Sequence, residues 1–439
     1  MKHNSTMEIA LERIQCCADG ILNLARLELT ELPPLPEGII EVNCSFNRLT
    51  SLPKLPSTLR YLVCTRNQLT SLPELPSNLQ RLVCNQNQLT SLPPLPSSLC
   101  SLTCDRNQLT FLPELPSLLT ALYCIDNQLT SLPELPSSIL QLGCAYNELT
   151  SLPELPSSLN WFRCSNNHLS SMPLLPSTLQ DLMCDHNQLT SLPDLPSSIR
   201  GFDCCHNQLT SLPELPSSLV GLHCSFNQLT SMPPIPSTCQ SFVCSFNQLT
   251  SLPELPLSLN DCICIRNHLT SLPPLPPLLH LLTCCQNELT SLPPLPPNIH
   301  VLMCAGNRLT SLPKLPSTIQ YLDCNTNLIR ILPPLPEGLV SLGCEKNPLD
   351  TFPEFPLNLS GLSCDHPISN ELLEVKHMAP ERVQQLNQEI REGMTLLAQQ
   401  SKERCEARCK EYKEEIMMKA WHPSRVEKLL GMGYDMEDM

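Results

Sequence analysis

The chain has 439 residues, of which 4% are aromatic, 46 are proline and 26 are cysteine, a bias that excludes an ordinary mixed globular core and points to a repeat architecture. Of the net charge of −15, −12 lies on residues 1–365 and −3 on residues 366–439. So acidic a body argues against nucleic acid or an anionic membrane surface as partner, since both require clustered cations.

Residues 1–20 predict a short helical cap. A helix over 5–18 would be N-capped by Asn4 or Ser5 and stopped by Gly20. Glu8, Glu12 and Arg13 interrupt any apolar stretch there, so a secretory signal is not expected. No later run is long and apolar enough to span a membrane. Abundant cysteine without an export signal then favours a reducing compartment, and a cytoplasmic setting is expected.

Residues 21–366 predict a leucine-rich-repeat solenoid of seventeen or eighteen coils. From position 31 to 350 the chain advances in units of twenty without insertion, each approximating S-L-P-x-L-P-x-x-L-x-x-L-x-C-x-x-N-x-L-T. Cysteine holds place fourteen from Cys44 to Cys364, and asparagine holds place seventeen from Asn47 to Asn347. The segment L-x-x-L-x-C-x-x-N-x-L fits the leucine-rich-repeat template with Cys at the third Leu. Its x-L-x-C-x core alternates as a short strand does, so stacked copies predict a parallel sheet on the concave side. The L-P-x-L-P half cannot be a central strand or a helix interior, because proline lacks the amide donor. It predicts an extended, polyproline-like return on the convex side.

Place fourteen points inward, so its thiols are expected to pack as small hydrophobes between leucines. A metal would need four converging ligands, whereas a straight column offers parallel ones. In-register neighbours also lack the crossed geometry of a disulfide. The asparagine amide is expected to satisfy main-chain groups at a tight bend. Among cysteines off the ladder, Cys239 and Cys262 replace leucines and should be core, while Cys205 and Cys285 at place fifteen are expected to be exposable.

Places eleven and thirteen vary from copy to copy and face out of the concave side, the pattern of a uniform scaffold with a diversified face. Along that face Tyr123, Trp161, Arg163, Asp181, Met183, Asp203 and His223 are the candidate partner-binding residues, Trp161 and Arg163 beside the gap at Gly143. Trp, Tyr and Arg dominate interface energetics. Asp181, Asp185, Asp203, His186 and His206 also fall in adjacent coils and read as solvated polar side chains. Glu74, Glu114, Glu134, Glu154, Asp194, Glu214 and Glu254 read as a solvated convex row. With no phosphate loop, nucleophile elbow or Cys-x-x-Cys pair, no enzyme activity, metal or cofactor is expected.

Residues 367–439 predict a helical tail, with a long helix over about 381–420 carrying Val383, Leu386, Ile390 and Leu397 on one stripe and Cys405 and Cys409 further along. An alternative role, acting on ubiquitin machinery, would be carried by this tail. The ending "KAWHPSRVEKLLGMGYDMEDM" is similar to tails on proteins of large DNA viruses of protists.

The unit "NxLTSLPxLPxxLxxLxCxxN" resembles the short, proline-rich repeats of IpaH- and YopM-type bacterial effectors across residues 21–366. That resemblance implies a solenoid that binds host proteins, and hence action in a host cytoplasm. Some members add a ubiquitin-ligase domain whose nucleophile lies in Cys-x-Asp. Here Cys405 and Cys409 read "CEA" and "CKE", so ligase activity is not implied. The expected function is a non-enzymatic scaffold that grips a partner protein.

Overall fold

The computed structural model describes residues 6–350, Pro353, Phe355, Pro356 and residues 359–363. The expected caps Asn4 and Ser5, the ladder thiol Cys364 and the whole tail with Cys405 and Cys409 lie outside the described residues. The chain forms two compact units, Met1–Gln208 and Leu209–Met439.

The first unit opens with helix α1 (Thr6–Gln15). It ends three residues before the expected Ala18. The Cys17 amide closes on the Ile14 carbonyl at 3.3 Å and the Ala18 amide on Cys16 at 2.9 Å, tightening the last turn. Three-residue strands then recur every twenty residues, from β1 (Ile21–Asn23), β2 (Glu41–Asn43) and β3 (Tyr61–Val63) to β10 (Gly201–Asp203). The second unit repeats the pattern from β11 (Gly221–His223) to β18 (Gly361–Ser363). Within each unit neighbouring strands are parallel and strictly in register. Leu62 pairs with Val42 and Leu82, for example, and Leu282 with Cys262 and Leu302. In-register pairing turns each place of the repeat into a column of like side chains.

The strands are short because the ladder continues through bends that no longer count as strand. The place-fourteen amide donates to the place-thirteen carbonyl of the next coil, as Cys44 does to Val63 at 2.8 Å, and the place-sixteen amide to the next place-fifteen carbonyl. Among the described residues the L-P-x-L-P segments contain no helix or strand, a single bridge residue, Ile331, standing just before one of them, and they are followed by a turn closed by the place-nine amide on the place-six carbonyl (Leu59 to Pro56, 3.1 Å). Proline's missing donor is harmless there, because this side of the coil makes no ladder.

The core is a column of leucines at places nine, twelve and nineteen around a column of sulfur. The sixteen ladder cysteines from Cys44 to Cys344 are buried free thiols, at most 2% exposed. Several donate to the carbonyl already holding their own coil's amide, as Cys104 Sγ does to Tyr123 O at 3.4 Å and Cys184 Sγ to Asp203 O at 3.4 Å. Cysteine thus fills a leucine place and adds a weak inter-coil bond. Cys239 and Cys262 are core as expected. Cys205 is not exposable: it is fully buried, while Cys285 is half-buried.

The asparagine column joins coil to coil. Asn187 Nδ2 donates to Cys164 O and Cys184 O, both at 3.1 Å, and its Oδ1 accepts the Leu169 amide at 3.0 Å. One side chain therefore satisfies carbonyls of two coils and an amide of the first. The same set recurs within each unit, from Asn47 to Asn207 and from Asn247 to Asn347. Only a carboxamide, with donor and acceptor on one planar group, can do this.

Place sixteen is left-handed in every described coil, with φ between 51° and 60° except at Gly306, where it is 67°. A non-glycine residue there costs roughly 1–2 kcal/mol. Glycine nevertheless stands there once; the other columns' hydrogen bonds impose the bend, and the side chains that occupy it stack on one another.

Asn187→Ala would leave the Leu169 amide without its acceptor and take one of two asparagine donors from each of the Cys164 and Cys184 carbonyls, which keep Asn167 and Asn207, a cost of about 1–3 kcal/mol. Urea unfolding should show the loss, and hydrogen exchange at the Leu169 amide should accelerate far more than at Leu69, whose partner is Asn87. Equal exchange at the two sites would refute the staple.

Burial raises many of the ladder thiols above their usual 9.0, Cys44, Cys84 and Cys144 to about 12, with neighbouring thiols or carboxylates adding to the rise at others such as Cys64 and Cys104. The folded chain therefore keeps these protons while the unfolded chain loses them. Stability should be independent of these thiols below pH 9 and fall above it, by about 1.4 kcal/mol per pH unit per thiol. Denaturation between about pH 8 and 10.5 should show a steep alkaline decline that Cys144→Ala with Cys164→Ala makes shallower.

Candidate functional site

In the first unit the outward places of consecutive strands bring the expected residues together. Tyr123 ends β6 (Ala121–Tyr123), Gly143 ends β7 (Gln141–Gly143), and Trp161 and Arg163 flank Phe162 on β8 (Trp161–Arg163). Gln141 pairs with Trp161 and Gly143 with Arg163. Because place thirteen of the middle coil has no side chain, the Tyr123 ring lies over it: a Cβ on Gly143 would meet Tyr123 Cδ1 at 3.0 Å and Ile125 Cδ1 at 3.2 Å. The ring thereby reaches Trp161, with centroids 5.8 Å apart and planes tilted by 52°, the edge-biased geometry aromatic pairs prefer. Tyr123 Oη donates to Gln141 Oε1 at 2.6 Å, fixing the ring. Burial, and then the Asp105 carboxylate, raise the Tyr123 phenol, so it stays a donor.

On β9 (Asp181–Met183) Met183 and Asp181 extend this surface. Asp181 leans over Gly201, where a Cβ would sit 2.6 Å from Oδ1. Burial raises its carboxyl. Tyr123, Trp161, Arg163, Asp181 and Met183 are half-exposed, but Asp203 is 3% exposed and His223, in the second unit, 6%. Those two side chains offer a partner little area; His223 Nε2 lies 3.5 Å from Ser241 Oγ.

The Asp185, Asp203, His186 and His206 group is not a solvated face. Asp185 is 2% exposed, hydrogen-bonded through Oδ1 to the Ser165 hydroxyl and through Oδ2 to His186 Nδ1 at 3.0 Å. His186 and His206 stack with centroids 4.0 Å apart. Burial and then Asp203 raise the Asp185 carboxyl, against the opposing bonds from His186 and Ser165. Asp105 is likewise raised, to about 6, by burial. Sequence reasoning misses this because strands packed side by side shade one another's outward side chains. Among the described residues no three His, Cys, Asp or Glu side chains are placed to share a metal ion.

The second unit carries a surface that the sequence reading did not single out. Ile263 on β13 (Asp261–Ile263), Leu281 on β14 (Leu281–Thr283), and Val301 and Met303 on β15 (Val301–Met303) form one apolar cluster, with Val243 and Tyr321 packed against it. The signal was present: "DCICI", "LLTCC" and "VLMCA" put apolar residues at places eleven or thirteen, which elsewhere are often polar. Place sixteen adds a ridge beside each face, with Phe226 stacked on Phe246 at 4.0 Å and Arg266 over the Phe246 ring at 4.9 Å.

No described helix is long and apolar enough to cross a membrane. No family model and no curated protein matches the chain. Solved structures do. YopM from Yersinia enterocolitica WA-314 is similar at 36% identity, over 82% of this chain and 90% of that one, with a TM-score of 0.73. YopM from Yersinia pestis, described as a leucine-rich effector protein, is 32% identical over 83% and 95%, with a TM-score of 0.61. The functional domain of InlJ from Listeria monocytogenes, described as including a cysteine ladder, shares the fold at 24% identity over 66% and 68%, with a TM-score of 0.57.

Gly143→Ala should push the Tyr123 ring off its place and open the Tyr123–Trp161 contact. In a Trp421→Phe background, Trp161 emission should shift while the far-ultraviolet dichroism stays unchanged; an unmoved emission spectrum would refute the stacking.

Proposed function

The chain belongs to the YopM family of leucine-rich-repeat effector proteins, and from that premise we propose that it is a non-enzymatic scaffold whose concave face grips a host protein. The observation that carries this reading is the contrast between columns. Places nine, twelve, fourteen, seventeen and nineteen hardly vary and are spent on folding, whereas places eleven and thirteen carry Tyr123, Trp161, Arg163 and Met183 side by side and half-exposed. Aromatic and guanidinium groups held rigid before contact lose little entropy on binding. The gap at Gly143, which lets Tyr123 and Trp161 meet, supports a shaped surface rather than scattered exposure.

Two surfaces of different character support recognition of an extended partner. In the first unit the face combines rings, a cation and the carboxylate of Asp181. In the second it is aliphatic, centred on Leu281, Val301 and Met303. The effector description of the Yersinia relatives supports a host protein as the partner and the host cytoplasm as the place of action.

Affinity capture from host-cell extract with the full chain, followed by titration of the purified partner, tests the proposal. Trp161→Ala with Arg163→Ala should weaken binding by about tenfold or more, equivalent to roughly 1.4 kcal/mol, with no fall in melting temperature. Unchanged affinity would defeat the assignment of this face.

A further inference from the structure

A cavity of about 620 Å³ opens in the first unit beside α1 and the first three strands, with Arg13, Arg26, Asn23, Asn43, Phe46 and Val63 in its wall. No carboxylate lines it. Its polar groups are arranged as donors. Arg13 uses Nη1 on the Asn23 carbonyl at 2.8 Å, which ties α1 to β1 and leaves the rest of the guanidinium available. Asn23 Oδ1 accepts the Ala25 amide at 3.0 Å, and Asn43 Oδ1 accepts the Ser45 amide at 3.1 Å. Each carboxamide therefore has its acceptor occupied and its NH₂ left over.

The cations here are also uncompensated. Arg48 pairs with Glu28 at 3.2 Å and Arg106 with Asp126 at 3.6 Å. Arg13, Arg26 and Arg66, by contrast, have no carboxylate within 4.0 Å among the described residues. Arg26 and Arg66 instead flank Phe46, their guanidinium carbons 4.6 and 5.1 Å from the ring centroid. On a body whose net charge is strongly negative, two guanidiniums without a carboxylate in the wall of one donor-lined cavity, with Arg66 stacked on its Phe46, are a local reversal of sign. A concave site of this size suits a few residues of a ligand. Phe46 and Val63 give it an apolar wall.

We propose that this cavity docks an oxyanion carried on an extended peptide segment of a protein partner, a carboxylate or a phosphate with an apolar neighbour against Phe46 and Val63. The guanidinium of Arg26 and the amides of Asn23 and Asn43 hold the anion, and Arg13 closes it from the helix side. Asn23, Asn43 and Val63 in its wall are the outward place-thirteen residues of β1, β2 and β3, so a polypeptide seated there can continue over the outward places. The proposal rests on the reading of the chain as a protein binder but is independent of Trp161 and Arg163.

The test uses the full chain and three labelled hexapeptides, identical but for a central glutamate, phosphoserine or glutamine next to a phenylalanine, followed by fluorescence anisotropy. At least one anionic peptide should bind about tenfold or more tighter than the glutamine peptide, be displaced by inorganic phosphate and weaken at higher salt. The better of the two identifies the source of the oxyanion. Arg13→Gln with Arg26→Gln should abolish the preference. The fold tolerates both changes, since Arg13 is exposed and glutamine already occupies the left-handed place at Gln86 and Gln286. Trp161→Ala with Arg163→Ala should leave peptide binding intact, which separates failure here from failure of the concave-face reading. Equal binding of all three peptides, no binding of any, or an unchanged preference in the double arginine variant would overturn the proposal.

Discussion

The structure depends on one hydrogen-bonding unit, the asparagine carboxamide that belongs to two coils at once. A twenty-residue coil encloses too few leucines to stand alone, so its stability is a nearest-neighbour property. The bends at places fifteen to seventeen would strand carbonyls in an apolar interior, where each unmet group is expensive. Asn47, Asn67 and their successors answer both needs, meeting the buried groups of their own coil while fastening it to the one before. The thiol column is the complement: sulfur is small enough to pack among the leucines and polar enough to reach the place-thirteen carbonyl of the next coil, beside the place-fourteen carbonyls that asparagine takes.

From that constraint follows a division of labour along the repeat. Inward places are nearly fixed because strict register makes every coil's error its neighbour's error. Outward places are free of it, and differ accordingly: rings and a guanidinium around Gly143, a buried carboxylate with stacked imidazoles at Asp185, aliphatic side chains from Ile263 to Met303. The left-handed place sixteen belongs to both groups. Its backbone is dictated by the ladder, while its side chains are released to stack, as Arg26, Phe46 and Arg66 do.

Much of this was legible in the sequence, for a physical reason. A period of twenty repeated over the chain averages away local ambiguity, so the inward cysteines, the strand at places eleven to thirteen and the bend at Asn could be read from one copy and checked in the rest. What could not be read was what depends on lateral neighbours. Cys205 and Asp185 at place fifteen look exposable one coil at a time, and are buried in the folded chain. The left-handed turn carries glycine in one described coil only, at Gly306, too rarely to announce it. The overlap of Tyr123 with Trp161 follows from a side chain that Gly143 lacks. The apolar cluster in the second unit is written at places eleven and thirteen in aliphatic residues, which unlike aromatic anchors do not stand out singly and matter only once neighbouring coils bring them together.

Because each coil closes on copies of itself in one register, the gene for this protein is a string of interchangeable cassettes. Unequal recombination that removes or duplicates one whole coil's worth of codons rejoins asparagine to carbonyl and leucine to leucine, whichever copies are exchanged. The product differs only in which outward side chains become adjacent. A lineage carrying such a gene can therefore reshuffle the specificity of its product in single genetic steps without passing through an unfolded ancestor.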